Sequence, residues 1–363
     1  MKRVALLGAT GSIGTQALEI VDHHPELELC ALAAGRRREE AERIAAERDV
    51  PHVSVAGEPP LEELIAASEP DVVLNAVVGF AGLPATLATL ELGIDLALAN
   101  KESLVAGGQL VLDAKRRGRG RILPVDSEHS AAFQCLEHRD PDTIHSLVLT
   151  ASGGAFRGRT RAELAGVSPF DALAHPTWTM GPKITVDSAT LMNKGLELIE
   201  AHFLFGLPYD RIEVVLQPTS VVHALVRFRD GGALAHVGYP DMRTPISYAL
   251  TYPERAATPV SPLALSGLVI EFSAPDEETF ACLALARAAG EAGGTAPCIL
   301  NAANEVAVAA FLDGALPFLG IPDVVERTLS AVEAESAEDL EALIAVDAEA
   351  RRVAEALSRE LVA

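Results

Sequence analysis

Lys2-Arg3-Val4-Ala5-Leu6-Leu7-Gly8-Ala9-Thr10-Gly11-Ser12-Ile13-Gly14 is the stretch that decides the fold. A short apolar run leads into a glycine-rich turn, and a helical pattern continues to about Val21. Strand, glycine turn and helix, in that order, place backbone N–H groups at a helix N-terminus where the pyrophosphate of a dinucleotide can sit. The spacing is GxxGxxG, a variant of the usual fingerprint; without its flanks such a turn can be purely structural. A second predicted strand, Leu27–Ala34, ends in Gly35-Arg36-Arg37-Arg38. A site for an unphosphorylated ribose usually carries an acidic residue there, whereas arginines suit a 2′-phosphate, so the pattern favours NADPH. The plain alternative is an exposed arginine run opening the helix predicted over 39–48.

Outward from this unit the alternation continues with strands at Asp71–Val78, Ile94–Ala99 and Arg121–Val125 and helices at 83–92 and 107–117. It predicts a Rossmann-like, doubly wound parallel sheet in an α/β protein. Asn100-Lys101-Glu102-Ser103 follows a strand's carboxyl end, where ligands of such sheets bind. Val125-Asp126-Ser127-Glu128-His129 closes the next strand. If that strand continues, Asp126 and Glu128 point the same way as hard oxygen ligands suited to Mg²⁺ or Mn²⁺. Capping of a helix at 129–137 by the Asp or Ser is the simpler reading.

Beyond residue 140 the alternation loosens into a predicted central α/β (α+β) region and, from about 279, a helical one with breaks at Gly293-Gly294 and Pro317–Pro322. A strand at Ile144–Thr150 runs into Ala151-Ser152-Gly153-Gly154, a turn with free backbone donors. Residues 172–182 carry the single tryptophan, Trp178, among helix-disfavouring residues, which suits a loop with an aromatic lid or a Trp packed under a fixed loop. In residues 181–200 the pattern predicts a helix beginning at Val186-Asp187-Ser188, with Asp187 or Ser188 as cap and Met192, Leu196, Ile199 and Phe203 as its buried stripe. Asn193 and Glu197 stand at i and i+4 beside Lys194; the group suits a phosphate seat and a metal or proton site, or simply a solvated Lys–Glu face. A strand follows at Arg211–Leu216, then a hairpin of Val222–Phe228 and Ala233–Val237.

A net charge of −22 argues against nucleic acid or an anionic membrane as partner, so an anionic substrate needs a local pocket. Lysines are scarce, at positions 2, 101, 115, 183 and 194, and three of them (Lys101, Lys183 and Lys194) fall in stretches that carry candidate chemistry. Cys30, Cys135, Cys282 and Cys298 are scattered, as expected of reduced thiols in a cytoplasmic protein rather than a zinc site. The first apolar run is too short for a signal peptide, and Asn75, Gly79, Gly82 and Pro84 break the uncharged stretch 72–90, so a soluble protein is expected.

Taken together, GATGSIG (8–14), LANKESLV (98–105), PVDSEH (124–129), ASGG (151–154), HPTWTMGPKITVDSATLMNKGLE (175–197), YPDMRTPI (239–246) and ILNAANEVAV (299–308) resemble the 1-deoxy-D-xylulose 5-phosphate reductoisomerases. The resemblance implies an NADPH-binding domain at 1–125, a catalytic domain at 126–252, a connecting segment at 253–278, a helical domain at 279–363, and a homodimer. It assigns Asp126, Glu128 and Glu197 to a divalent metal (Mg²⁺ or Mn²⁺, with Co²⁺ a further option). Ser152, His175, Ser188, Asn193 and Lys194 fall to the phosphate of a phosphorylated sugar and its neighbouring hydroxyls. Ser127 and Lys101 fall near the reacting carbons, with Trp178 closing over them. Thr10, Gly11, Ser12 and Ile13, then Gly35, Arg36 and Arg37 at the adenosine end, and Asn100, Lys101, Glu102, Gly181 and Met242 would line NADPH. The implied activity is rearrangement of 1-deoxy-D-xylulose 5-phosphate and its reduction to 2-C-methyl-D-erythritol 4-phosphate in non-mevalonate isoprenoid synthesis. Thr177 and Ala155 depart from the family's usual Asn and Pro, and neither position carries a metal or phosphate role. Two alternatives are an NADP-dependent semialdehyde or hydroxy-acid dehydrogenase, which would not need the three carboxylates, and a non-catalytic NADPH-sensing protein.

Overall fold

The opening apolar run forms a strand, β1 (Lys2–Leu7), whose alternate side chains enter two different cores. Val4 and Leu6 pack on one face with Ala17, Leu18, Ile20 and Val21 of the following helix, while Ala5 and Leu7 pack on the other with Leu64 and Ile65. A period of two with both faces apolar is what a central strand of a parallel sheet requires. The computed structural model describes residues 1–137 and 139–361. They divide into two units: Met1–Leu104, Gly108–Gln134 and Asp241–Leu263 form the first, and Val105–Gly107, Cys135–Pro240 and the chain from Ala264 the second.

In the first unit β1 is joined by β2 (Leu27–Ala34), β3 (His52–Val55), β4 (Val72–Asn75), β5 (Asp95–Leu98) and β6 (Ile122–Pro124) in the order β3-β2-β1-β4-β5-β6. Every pairing is parallel. Helices α1 (Ser12–His23), α2 (Arg38–Glu47), α3 (Leu61–Ser68), α4 (Leu83–Glu91), α5 (Lys101–Gly118) and α6 (Ser127–Leu136) make the crossovers and flank the last strand. The strand order reverses at β1 and β4, the topological switch point where such sheets open a crevice for ligands. At Gly14 a Cβ would fall 2.2 Å from the Gly8 carbonyl oxygen and 2.6 Å from the Ala9 carbonyl carbon, so α1 can settle onto the turn only without a side chain there. A later helix, α11 (Arg243–Thr251), adds Ile246, Ala249 and Leu250 to the same core as Val4 and Leu6.

Two sequence expectations change in this unit, and one stretch that carried none holds structure. Residues 49–70 hold β3 and α3, elements too short to stand out by periodicity. Helix α5 begins at Lys101, not 107, because the Asn100 side chain caps it by accepting from the Ser103 N–H (3.1 Å). Strand β6 stops at Pro124, so Asp126 and Glu128 are related by the first turn of α6 and not by strand alternation.

The second unit contains a mixed sheet, β10-β9-β7-β8, of β7 (Ile144–Ala151), β8 (Ile212–Leu216), β9 (Val222–Phe228) and β10 (Ala233–Val237). β7 runs parallel to β8 and antiparallel to β9, and β9 and β10 form the expected hairpin. Short helices α7 (Arg161–Leu164), α8 (Pro169–Ala172) and α9 (Pro182–Ala189) precede α10 (Met192–Phe205). The C-terminal helices are α12 (Cys282–Ala292), α13 (Ala296–Leu312), α14 (Gly320–Ala331) and α15 (Leu340–Glu360), with α13 buried along most of its length.

The stretch 181–200 is two helices rather than one. Pro182 starts α9 at the position where a missing N–H costs nothing, and Leu191, at φ 62°, breaks it from α10. Asp187 therefore caps nothing: it lies inside α9, 1% exposed. Met192, Leu196 and Ile199 are buried as expected, but Phe203 is only half-buried. The cysteines are free, and burial pushes the thiols of Cys282 and Cys298 up to about 12, which leaves them unreactive. No described helix is long and apolar enough to cross a membrane.

Candidate active site

At the carboxyl ends of β5 and β6 one side chain organises the local backbone. Asn100, 1% exposed, donates from Nδ2 to the carbonyls of Val77 (2.6 Å) and Gly79 (2.9 Å) and to Glu102 Oε2 (3.2 Å), while its Oδ1 caps α5. That fixes the first turn of α5 and sends the buried Lys101 Nζ onto Asp126 Oδ2 in a close ion pair. The other oxygen of Asp126 accepts the Glu128 N–H (3.3 Å) at the start of α6 and lies 3.5 Å from His129 Nδ1. Ser127 Oγ donates to Glu128 Oε2. One carboxylate oxygen of Asp126 thus caps α6, as the simpler reading has it, and the other faces Lys101.

Around the glycine turn Thr10 is buried, Gly11 and Ile13 are half-buried and Ser12 is exposed. The Gly11 N–H donates to the Gly8 carbonyl (2.9 Å) and closes the turn. Gly35, Arg36 and Arg37 are exposed beyond the end of β2. Arg37 pairs with Glu40 (3.1 Å) and Arg38 with Glu42 (3.5 Å), whereas Arg36 makes no ion pair among the described residues. Met242, at the start of α11, packs against the core of the first unit.

In the second unit Ser152, His175 and Ser188 come together. His175 Nε2 lies 2.9 Å from Ser152 Oγ and 3.2 Å from Ser188 Oγ. Its Nδ1 accepts the backbone N–H groups of Thr177 (3.1 Å) and Trp178 (2.9 Å). A ring nitrogen that accepts two N–H bonds carries no proton, so the proton of the neutral ring sits on Nε2 and points at the serine hydroxyls. Burial lowers the His175 pKa from its ordinary 6.5 and favours this neutral form. Gly154, at φ +67°, brings the serine loop onto the end of α9; a Cβ there would meet the Ser188 carbonyl oxygen at 2.5 Å. Trp178 stands 6.4 Å, ring to ring, from His223 of β9, a neighbour that nothing in the local sequence of either residue signals. Gly181 leads into α9.

One turn into α10, Glu197 is 1% exposed and accepts from Asn193 Nδ2 (2.5 Å) and from the buried Lys194 Nζ. The i, i+4 and i, i+3 spacings read from the sequence thus converge on one carboxylate. Asn193 and Lys194 orient Glu197 here. Sequence reasoning missed the partners of Asp187, which are Lys183 Nζ (2.9 Å) and, from α13, Asn304 Nδ2 (2.8 Å). The signal available was Asn304, a polar residue in a largely apolar helix that also carries Asn301 and Glu305.

Comparison with known proteins agrees along the chain. Family models described as 1-deoxy-D-xylulose 5-phosphate reductoisomerase match residues 4–60 and 48–108, its C-terminal domain matches 122–205, and a DXP reductoisomerase C-terminal domain matches 237–353. The 1-deoxy-D-xylulose 5-phosphate reductoisomerase of Xanthomonas axonopodis pv. citri is 48% identical over 98% of this chain and 96% of its own. Among solved structures, the Zymomonas mobilis enzyme in complex with NADPH superposes with a TM-score of 0.90 at 41% identity, covering 99% of this chain and 100% of that one. A DOX-P reductoisomerase in complex with NADPH, fosmidomycin and magnesium gives 0.92 at 39% identity, covering 99% of each chain. The chain belongs to the 1-deoxy-D-xylulose 5-phosphate reductoisomerase family.

Proposed function

We propose that this chain converts 1-deoxy-D-xylulose 5-phosphate to 2-C-methyl-D-erythritol 4-phosphate with NADPH and a divalent metal ion, as a step of non-mevalonate isoprenoid synthesis in the cytoplasm. The observation that carries the reading is a pair of buried or nearly buried carboxylates each held by a lysine, Lys101 on Asp126 and Lys194 on Glu197, in a chain 48% identical to such an enzyme. Asp126, Glu128 and Glu197 supply the hard oxygens that Mg²⁺ or Mn²⁺ prefers, and a lysine ammonium faces Asp126 and Glu197. When bound, the ion supplies Lewis-acid stabilisation of developing oxyanion charge and NADPH supplies the hydride.

The chain's own residues position the substrate. With Nε2–H of His175 donating to a serine oxygen, the hydroxyl hydrogens of Ser152 and Ser188 are left to turn toward phosphate oxygens. His175 thereby links the phosphate to the backbone of Trp178, so that binding at one end of the substrate steadies the residue placed to cover the other. Asn193 and Lys194 serve Glu197 and the substrate hydroxyls, and Lys101 and Ser127 lie by the reacting carbons. Cofactor contacts fall to Thr10, Gly11, Ser12 and Ile13 at the pyrophosphate, Arg36 with Gly35 and Arg37 at the adenosine 2′-phosphate, and Asn100, Glu102, Gly181 and Met242 along the remainder.

A homodimer is proposed on the second unit's sheet. Strand β10 is an edge whose Leu234 and Val237 are 40% and 45% exposed, and unpaired apolar edges invite another strand. Leu234→Asp with Val237→Asp is expected to sediment as a monomer where the parent sediments as a dimer; a variant that stays dimeric moves the interface elsewhere.

Glu197→Gln should lower metal-dependent turnover by more than the roughly 10–100-fold that supporting residues of metal sites cost, with the fold intact by circular dichroism. Turnover that survives chelation would refute the metal assignment.

Arg36→Glu should raise KM for NADPH by about 10–100-fold, the loss expected for a hydrogen bond to a charged group, and leave that for NADH nearly unchanged. Equal effects on both cofactors would remove Arg36 from the 2′-phosphate.

The lowered pKa of His175 fixes the sign of its pH response. The neutral arrangement is fully present above the ordinary histidine value and is lost as pH falls through the lowered one, when a proton on Nδ1 displaces the Thr177 and Trp178 N–H groups. Fluorescence of the sole tryptophan should change with a midpoint below 6.5, and His175→Gln should abolish that transition. A titration that persists in the variant belongs to another group.

A further inference from the structure

Helix α13 contains the stretch Ile299-Leu300-Asn301-Ala302-Ala303-Asn304-Glu305, none of which takes part in the proposed reaction. A helix packed on most sides needs only apolar side chains, so its polar ones ask for a reason. Asn301 Nδ2 donates to Glu305 Oε1 (2.8 Å), and Arg351 of α15 bridges Glu305 (2.7 Å) and Asp347 (2.6 Å), a network inside the C-terminal helices. Asn304, fully buried, turns instead to α9 and donates from Nδ2 to Asp187 Oδ1 at 2.8 Å. Asp187 can only accept there, which fixes the amide's orientation. At eight residues α9 is too short to hold its place unaided. The residue after Asp187 is Ser188, whose hydroxyl meets His175 and whose carbonyl lies close against Gly154 of the serine loop.

We propose that Asn304 is a positioning residue for the phosphate cluster: by gripping Asp187 from α13 it sets the rotation and depth of α9 and so the place of Ser188 Oγ against His175 and Ser152. The inference rests on the reading of Ser152, His175 and Ser188 as the phosphate-binding group. Asn304→Asp keeps the side chain's shape but sets a second carboxylate against Asp187. It should raise KM for 1-deoxy-D-xylulose 5-phosphate about tenfold or more, as for a lost bond to a charged group, with kcat held within about threefold, the pattern of lost uniform binding. KM for NADPH, whose proposed contacts other than Gly181 at the start of α9 lie on other elements, should change at most about threefold and less than that for the sugar phosphate, a split that a general loss of structure does not produce. The exchange Asn304→Asp with Asp187→Asn restores one amide and one carboxylate in reverse order and should return the sugar-phosphate KM toward the parent value. Should Asn304→Asp not fold, Asn304→Ala removes the donor without adding charge, and the same split is expected. A folded variant with unchanged substrate KM, equal changes in both KM values, or an exchange that rescues nothing overturns the inference. A parent enzyme that does not turn over the sugar phosphate overturns it together with the functional reading, whereas normal parent turnover with an unaffected variant overturns it alone.

Discussion

Keeping carboxylates ionised where water is scarce is the constraint on which the rest of this molecule depends. Five lysines serve a chain of net charge −22, and three of them are committed to buried or nearly buried carboxylates: Lys101 to Asp126, Lys183 to Asp187 and Lys194 to Glu197. A buried carboxylate without compensation takes up a proton or drives the structure open, because its desolvation costs several kcal/mol or more. Each of these is met instead by a compact ammonium, and Asp187 and Glu197 by an amide as well. Lysine suits the task better than the arginine this chain otherwise prefers. A single rotatable point charge can leave part of a carboxylate open to a metal, where a bidentate guanidinium would occupy both oxygens. The arginines of this chain do close such pairs, as Arg121 does on Asp95 and Arg227 on Glu213, away from the candidate site.

The parallel sheet was readable from the alternation because its central strands are apolar on both faces and its crossovers are amphipathic. Periodicity, however, reports which face of an element is buried and not what buries it. Ile246, Ala249 and Leu250 mark an apolar helix face, yet nothing in their spacing says that they complete the core begun by Val4 and Leu6 more than two hundred residues earlier. Helix starts failed for a related reason. Lys101-Glu102-Ser103 and Pro182-Lys183 look like loop by composition, and become helical because Asn100 supplies a cap in one case and proline a preset φ in the other.

Site residues were legible wherever the chemistry is local in sequence. Asn193, Lys194 and Glu197 share one helix face, and their convergence follows from 3.6 residues per turn. Asp126 and Glu128 were grouped on the premise of a continuing strand, whereas the first turn of a helix joins them. Contacts that cross between elements stayed hidden: Asn304 on Asp187, His223 beside Trp178, and the two hydroxyls at His175 Nε2 are set by tertiary packing.

On the proposed reading, the serine–histidine cluster answers how a chain this acidic would hold a phosphate. Charges more than about 10 Å away are largely screened at ordinary ionic strength, so the overall charge matters less than what lies within hydrogen-bond reach. An imidazolium would bring attraction, but Nδ1 is already committed as an acceptor to Thr177 and Trp178, and protonation would break both bonds. A neutral ring avoids that conflict. It orients two hydroxyl donors through Nε2 and fixes the Trp178 backbone through Nδ1 with one proton in one place. What the cluster gives up in charge it recovers in preorganisation, because donors already aimed at the anion lose little entropy on binding. The same requirement explains Gly154: with any side chain there the serine loop could not lie on the end of α9, and Ser152 and Ser188 could not share one histidine.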